Sequence, residues 1–237
     1  MILDWAKFYR DLSNINERKL GSDIESRKSQ ISHYSDTAHF VFELLQNADD
    51  YQASYVCFEL YEDRLVVEHD GRPFEVANVE SISKFESSTS EKDLQKTGRF
   101  GLGFKSVLLY TATPCIHSGS FSFMIYDLYR VKGIDRPKDL GQKITRFIFP
   151  FNHMEMGASY IYEENRKSQE QARREISDKL SKIERSVLLF TKHVEQISYT
   201  IDGGKHALSK ETVVLAEDDN NMQTKVSIDD GLRQSYW

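Results

Sequence analysis

The chain has 237 residues, 39% hydrophobic and 29% charged with only four prolines, a make-up that excludes a disordered, collagenous or solenoid protein. That length fits one large domain, or one domain with an appended piece, since single cores stop growing at roughly 250 to 300 residues. A net charge of −6 gives no general attraction to a phosphate backbone, so a dedicated nucleic-acid-binding domain is not expected.

Near the start, Asp4, Lys7 and Arg10 interrupt the apolar stretch that a signal peptide needs. No apolar run approaches the ~20 residues of a membrane span, so a cytoplasmic chain with no membrane partner is expected. Residues 3–12 predict a short amphipathic helix, followed by a polar, solvated segment, and residues 1–30 form a unit apart from the main domain. Asp36 is placed to cap a helix over 37–50, with Ala38, Val41, Phe42 and Leu45 at the helical apolar period. The runs SYVCFELYED and RLVVEHD predict an antiparallel hairpin turning at residues 62–64 and ending in HDGRPF. A short helix over 75–85 gives way to a polar loop, 86–99, which leads straight into GRFGLGFKSVLLY and a helix beginning near Phe104.

Residues 120–129 and 143–151 alternate as strands, with the charged stretch 131–142 as their connection. A long helix is expected over 163–194, apolar at Ile176, Leu180, Ile183, Val187, Leu188 and Phe190, and strands follow over 196–204 and 211–230. No internal repeat or low-complexity segment occurs. This order predicts an α+β fold, with helices on one face of a mostly antiparallel sheet. The main domain is set at 31–204, and the trailing strands at 205–237 read as the start of a further region of a longer protein. Cys57 and Cys115 cannot make a disulfide framework and are expected to be small buried hydrophobes in a reducing compartment.

Three segments carry chemistry. Glu43, Asn47 and Asp50, spaced by four and three residues, share one helix face and point a carboxylate, an amide and a carboxylate together. Gly98, Gly101 and Gly103 form a glycine-rich turn into a helix, where close backbone approach and free amides suit an anionic phosphate. No strand precedes these glycines, which disfavours a dinucleotide fingerprint, and Lys105 and Ser106 only superficially suggest a GxxxxGK[ST] loop. The third segment, HDGRPF, closes a strand on an Asp-Gly turn.

In combination, ELLQNADD, HDGRPF, LQKTGRFGLGFKSV and a strand bearing Thr145 resemble the GHKL ATPase superfamily of gyrase, heat-shock chaperones, histidine kinases and MutL, and within it the sacsin type. The resemblance spans roughly residues 31–150 and is most specific at ELLQNADD and GRFGLGF. It implies a Bergerat-type two-layer α/β sandwich that binds ATP with Mg²⁺ and hydrolyses it slowly. Glu43 would be the general base toward water, Asn47 the Mg²⁺ ligand, and Asp50 a support of the nucleotide pocket. Asp70 and Gly71 would meet adenine, with His69 the competing candidate because Gly71 and Pro73 depart from the usual D-x-G-x-G. Thr145 would complete the adenine contact, although Ile144 replaces the usual preceding glycine. Gly98, Arg99, Phe100, Gly101, Leu102, Gly103 and Phe104 would wrap the triphosphate under a lid spanning 83–99. Arg99 and Lys105 are the nearest cations; Lys105 reads more readily as solvated than as a phosphate ligand. The implied partners are ATP and ADP, a second copy through this domain, or a downstream region or client. The alternative is a nucleotide-binding scaffold with little turnover of its own.

Overall fold

The computed structural model describes residues 4–20, 38–84, 102–157, 160–217, 222–229 and 234–236. Its helices are α1 (Trp5–Leu20), α2 (Phe40–Asp50), α3 (Val76–Ser83), α4 (Leu102–Lys105), α5 (His153–Met156) and α6 (Gln169–Leu180). Its strands are β1 (Tyr55–Leu60), β2 (Arg64–His69), β3 (Cys115–Ser118), β4 (Phe121–Tyr126), β5 (Arg130–Gly133), β6 (Thr145–Pro150), β7 (Gln196–Ile201), β8 (Gly204–Glu217), β9 (Met222–Asp229) and β10 (Gln234–Tyr236). Among the described residues no helix is long and apolar enough to cross a membrane.

The β1–β2 hairpin forms as expected, and β-branched and aromatic residues at alternate positions give it one buried face. The described strands make one mixed sheet in the order β10-β9-β8-β7-β1-β2-β6-β3-β4-β5. All neighbours run antiparallel except β1 and β7, a parallel pair joined by the long crossover that carries the helices. The α+β expectation therefore holds. Register places Phe58 opposite Val67, Val67 opposite Phe147, and Phe147 opposite Ile116, so these side chains share one inner face. Phe147 and Phe149 stack at 6.0 Å, and Phe104 and Phe40 meet them from α4 and α2. Each buried phenylalanine contributes on the order of 2 kcal/mol by removal from water. Helix α6 buries the i, i+4, i+8 stripe Ala172, Ile176 and Leu180 and packs against α2, β1 and β2.

The structure differs from expectation in four ways. Helix α1 runs eight residues past Leu12 because its stripe of Tyr9 and Leu12 continues to Asn16. The buried Asn16 amide donates to Ser83 O at 3.3 Å and Tyr129 O at 3.1 Å, while Ser13 Oγ accepts from Val131 N at 2.8 Å, so α1 shields the edge strand β5. Second, β5 occupies part of the stretch taken as a connection, and β3 forms at CIHS. Both strands have four residues, too few for alternation to register. Third, the helix after the glycine-rich turn starts at Leu102 and tightens into a 3₁₀ turn at Ser106–Leu109. Fourth, the long helix over 163–194 is divided into a 3₁₀ turn at Glu163–Asn165, α6, and a 3₁₀ turn at Arg185–Phe190. Ser168 caps α6 by accepting from Gln171 N at 3.2 Å.

Candidate functional site

Helix α2 is amphipathic, and its polar side chains meet three different environments. Glu43 is partly exposed, with 31% of its side chain accessible, and Oε1 lies 3.2 Å from His39 Nε2 one helical turn earlier. Asn47 is buried, and its amide makes no hydrogen bond within the described residues. Asp50 is exposed at the helix end, where its carbonyl accepts from Arg72 at 3.3 Å. The predicted cap residue Asp36 lies outside the described residues; His39 occupies the N-cap position and gives no side-chain cap.

The acidic residue that sequence reading passed over is Asp49. Its carboxylate accepts from the backbone N–H groups of Lys192, His193 and Val194 at 2.9, 2.7 and 2.9 Å, fastening α2 to the turn that opens β7. Burial alone would raise its pKa, but those three donors hold it below the usual aspartate value. Asp49 lies four residues after Leu45 on the apolar stripe, and that spacing was the available signal.

At the end of β2 the two candidates for base contact point to opposite sides. Both oxygens of Asp70 face the start of β1, accepting from Ser54 N at 2.8 Å, Ser54 Oγ at 2.5 Å and Tyr55 N at 3.2 Å. His69 faces the inner side of the sheet and is almost fully buried. Burial pulls its pKa down to about 4, against the opposing pull of Asp70, so it is neutral at pH 7. Nδ1 accepts from Gly71 N–H at 3.1 Å, which leaves the proton on Nε2 and makes that atom a donor. Register places Thr145 directly opposite His69, and Thr145 Oγ1 shares a 2.6 Å hydrogen bond with Ser118 Oγ, which also accepts from Phe74 N at 2.9 Å. His69, Thr145 and Ser118 thus make a buried polar row across β2, β6 and β3 at one end of an otherwise apolar face.

Gly71 is required by protein packing. A Cβ there would sit 2.9 Å from Tyr51 O and 3.0 Å from His69 Nδ1, in the tight contact where Arg72 N donates to Tyr51 O at 2.8 Å. Gly71→Ala is expected to destabilise the protein by about 2 kcal/mol, seen as a lowered urea midpoint with an unchanged slope. The same contact brings the polar row against the C-terminal end of α2, one turn from Asn47.

Of the glycine-rich turn, Gly98, Arg99, Phe100 and Gly101 lie outside the described residues, as does residue 85 onward of the expected lid. Leu102, Gly103 and Phe104 form the first turn of α4, whose leading amides have no partner within the helix, and the Phe104 ring is buried in the aromatic core. Lys105 corrects the expectation of a solvated side chain. It is buried, Nζ donates to Ile82 O near the end of α3, and desolvation draws its pKa down to about 7. Cys57 and Cys115 are only half-buried, and burial still pushes the Cys115 thiol up to about 11, the opposite of an activated thiolate. A cleft of about 990 Å³ lies between α1 and strands β4 and β5, and none of the candidate residues lines it.

No family model matches the chain. It is 28% identical to sacsin of Homo sapiens over 142 residues, a stretch that is 50% of this chain and 3% of that protein. It is 31% identical to protein NO VEIN of Arabidopsis thaliana over 110 residues, 44% of this chain and 4% of that protein. The chain is distantly related to both and spans only a few per cent of their length.

Proposed function

We propose that the chain is a GHKL-type module that binds ATP with Mg²⁺, hydrolyses it slowly, and couples nucleotide state to the conformation of a larger protein. The observation that carries this reading is the buried polar row of His69, Thr145 and Ser118 set against the end of α2, one turn from Asn47, whose amide makes no hydrogen bond among the described residues. An amide oxygen that no described group engages keeps its acceptor capacity for a ligand. His69 takes the base-contacting place ahead of Asp70, because its Nε2–H is a donor suited to a ring nitrogen of adenine, whereas both Asp70 oxygens are engaged by Ser54 and Tyr55. The distant relationship to sacsin and NO VEIN supports an origin shared with their domains.

Among the described residues no cluster of three or more His, Cys, Asp or Glu is arranged for a metal. Mg²⁺ bound to a nucleotide needs none, since phosphate oxygens and waters complete its shell around one or two protein ligands. Asn47 fits that role, and the metal would neutralise phosphate charge there. Glu43, one turn before Asn47, would orient a water and accept its proton as the water attacks the γ-phosphorus.

A second reading, a nucleotide-binding scaffold with little turnover alone, is favoured by Lys105. Its ammonium is committed to Ile82 O instead of the site. A chain that draws its phosphate-stabilising cation from a following region would bind ATP and hydrolyse it poorly.

The test is calorimetric titration with ADP and a non-hydrolysable ATP analogue, with and without Mg²⁺, beside phosphate release. Magnesium-dependent binding is expected, and Asn47→Ala is expected to weaken it roughly tenfold or more. Binding that is absent, or indifferent to both Mg²⁺ and Asn47, overturns the proposal.

A further inference from the structure

The residue before the His39 N-cap is held in an uncommon backbone conformation. Ala38 has φ of 55°, in the left-handed region that costs a residue with a Cβ about 1 kcal/mol or more, and it is fully buried. Such a conformation persists only where neighbouring groups enforce it. Here the Ala38 N–H donates to the hydroxyl of Tyr110 at 2.6 Å. Tyr110 is itself buried, follows the 3₁₀ turn after α4, and packs its ring 5.3 Å from Phe40.

The Tyr110 hydroxyl is also held from behind. It donates to Glu175 Oε2 at 2.9 Å, so its proton is directed toward α6 and its lone pair toward Ala38. Glu175 is gripped by Lys167 at 2.7 Å and by Gln171 Nε2 at 3.0 Å, with Lys167 Nζ lying 5.1 Å from the centre of the Tyr110 ring. Burial would raise the Glu175 pKa, but the hydrogen bonds from Lys167, Gln171 and Tyr110 keep it below the ordinary value, so the acceptor stays charged at neutral pH. A phenylalanine would fill the space of Tyr110 equally well. Among the described residues, this polar chain ends on the backbone N–H of Ala38.

We propose that Tyr110, fixed by Glu175 and Lys167, is a positioning residue that locks Ala38 in its left-handed conformation and thereby sets how α2 begins and where the His39–Glu43 pair stands. The consequence for Glu43 rests on the ATPase reading above, whereas the tie between α6 and the start of α2 does not. Through this chain, packing of α6 reaches the general base without touching the nucleotide.

The experiment compares the parent chain with Tyr110→Phe, Ala38→Gly and the double variant, by amide hydrogen exchange over residues 40–45 and by ATP turnover. Tyr110→Phe is expected to speed exchange in that turn and lower kcat roughly tenfold, with KM changed less than about twofold. Glycine enters the left-handed region without the Cβ penalty, so Ala38→Gly added to Tyr110→Phe should restore turnover several-fold. A general loss of packing would not respond to that change. Parent-like exchange and kcat in Tyr110→Phe overturn the proposal, as does a loss that Ala38→Gly fails to relieve. If Tyr110→Phe does not fold, Glu175→Gln is read the same way, with a smaller change in the same direction expected and parent-like behaviour overturning the proposal. In a parent chain that binds nucleotide without turnover, the exchange comparison alone decides the tie: faster exchange over residues 40–45 in Tyr110→Phe supports it and parent-like exchange overturns it.

Discussion

Asp49→Ala is expected to destabilise the protein by about 3 to 5 kcal/mol at pH 7. The carboxylate accepts three backbone N–H groups, and hydrogen bonds to a charged group contribute about 1.5 to 3 kcal/mol each, less when they share one acceptor. Val194 N is buried, so alanine leaves it without water to replace the lost oxygen. The turn leads directly into β7, the parallel partner of β1 at the middle of the sheet, so the damage reaches the sheet. Lys210 Nζ, donating to Thr191 O at 2.8 Å, holds the turn from the other side and limits the loss. Asp49 is depressed in the folded state. Its stabilisation is therefore complete above the unfolded aspartate pKa of about 3.9 and disappears as pH falls through the lower folded value. Parent and Asp49→Ala should accordingly differ fully at pH 7 and draw together only as pH falls from about 4 through the lower folded value in urea unfolding. Equal midpoints at pH 7 would show that the turn is secured without Asp49, by contacts such as those of Lys210 and Thr191.

The contrast between Asp49 and Asp50 shows where sequence reading stops. Local patterns identified the β1–β2 hairpin, α2 and α3, because apolar period and turn residues act within a few positions. The pairing of His69 with Thr145 was not legible, since it depends on the register between β2 and β6, although the motifs had singled out both residues. Asp49 finds its partners 143 to 145 residues away. Nothing local distinguishes it from a solvated acid except its place on the apolar stripe. Lys105 is the same case in the opposite sense. A lysine is normally assigned to the surface, but the C-terminal turn of α3 leaves carbonyls without helical donors, and only the tertiary contact of Lys105 Nζ with Ile82 O reveals that Lys105 serves one of them.

The distribution of roles along α2 bears on how the module would work. Its start is tied through Tyr110 to α6 and its end through Asp49 to β7, while Glu43 and Asn47 lie between these two fastenings. On the proposed ATPase reading, a helix fixed at both ends would hold Glu43 and Asn47 in place before nucleotide arrives, which lowers the reorganisation needed on binding. The same fastenings give α6 and the β7–β8 hairpin a mechanical link to the site, so a change in α2 would be felt where the sheet extends through β8, β9 and β10.

Glu43→Ala is expected to lower ATP turnover by roughly 10² to 10⁴-fold while leaving nucleotide affinity within about twofold. The side chain is partly exposed and near a histidine, which leaves a carboxylate oxygen able to reach a water. It lies four residues before Asn47, so removing it leaves the Asn47 amide in place. If the carboxylate acts only as the water is deprotonated, kcat and kcat/KM fall together and KM stays constant. His39→Ala should give a smaller loss, because it frees Glu43 to rotate without removing it. Because Lys105 is directed to Ile82, the parent rate is itself expected to be low, so single-turnover measurement with enzyme in excess is the informative assay. Glu43→Ala turning over at the parent rate would remove Glu43 from the mechanism. A rise in KM matching the fall in kcat/KM would instead assign Glu43 to binding.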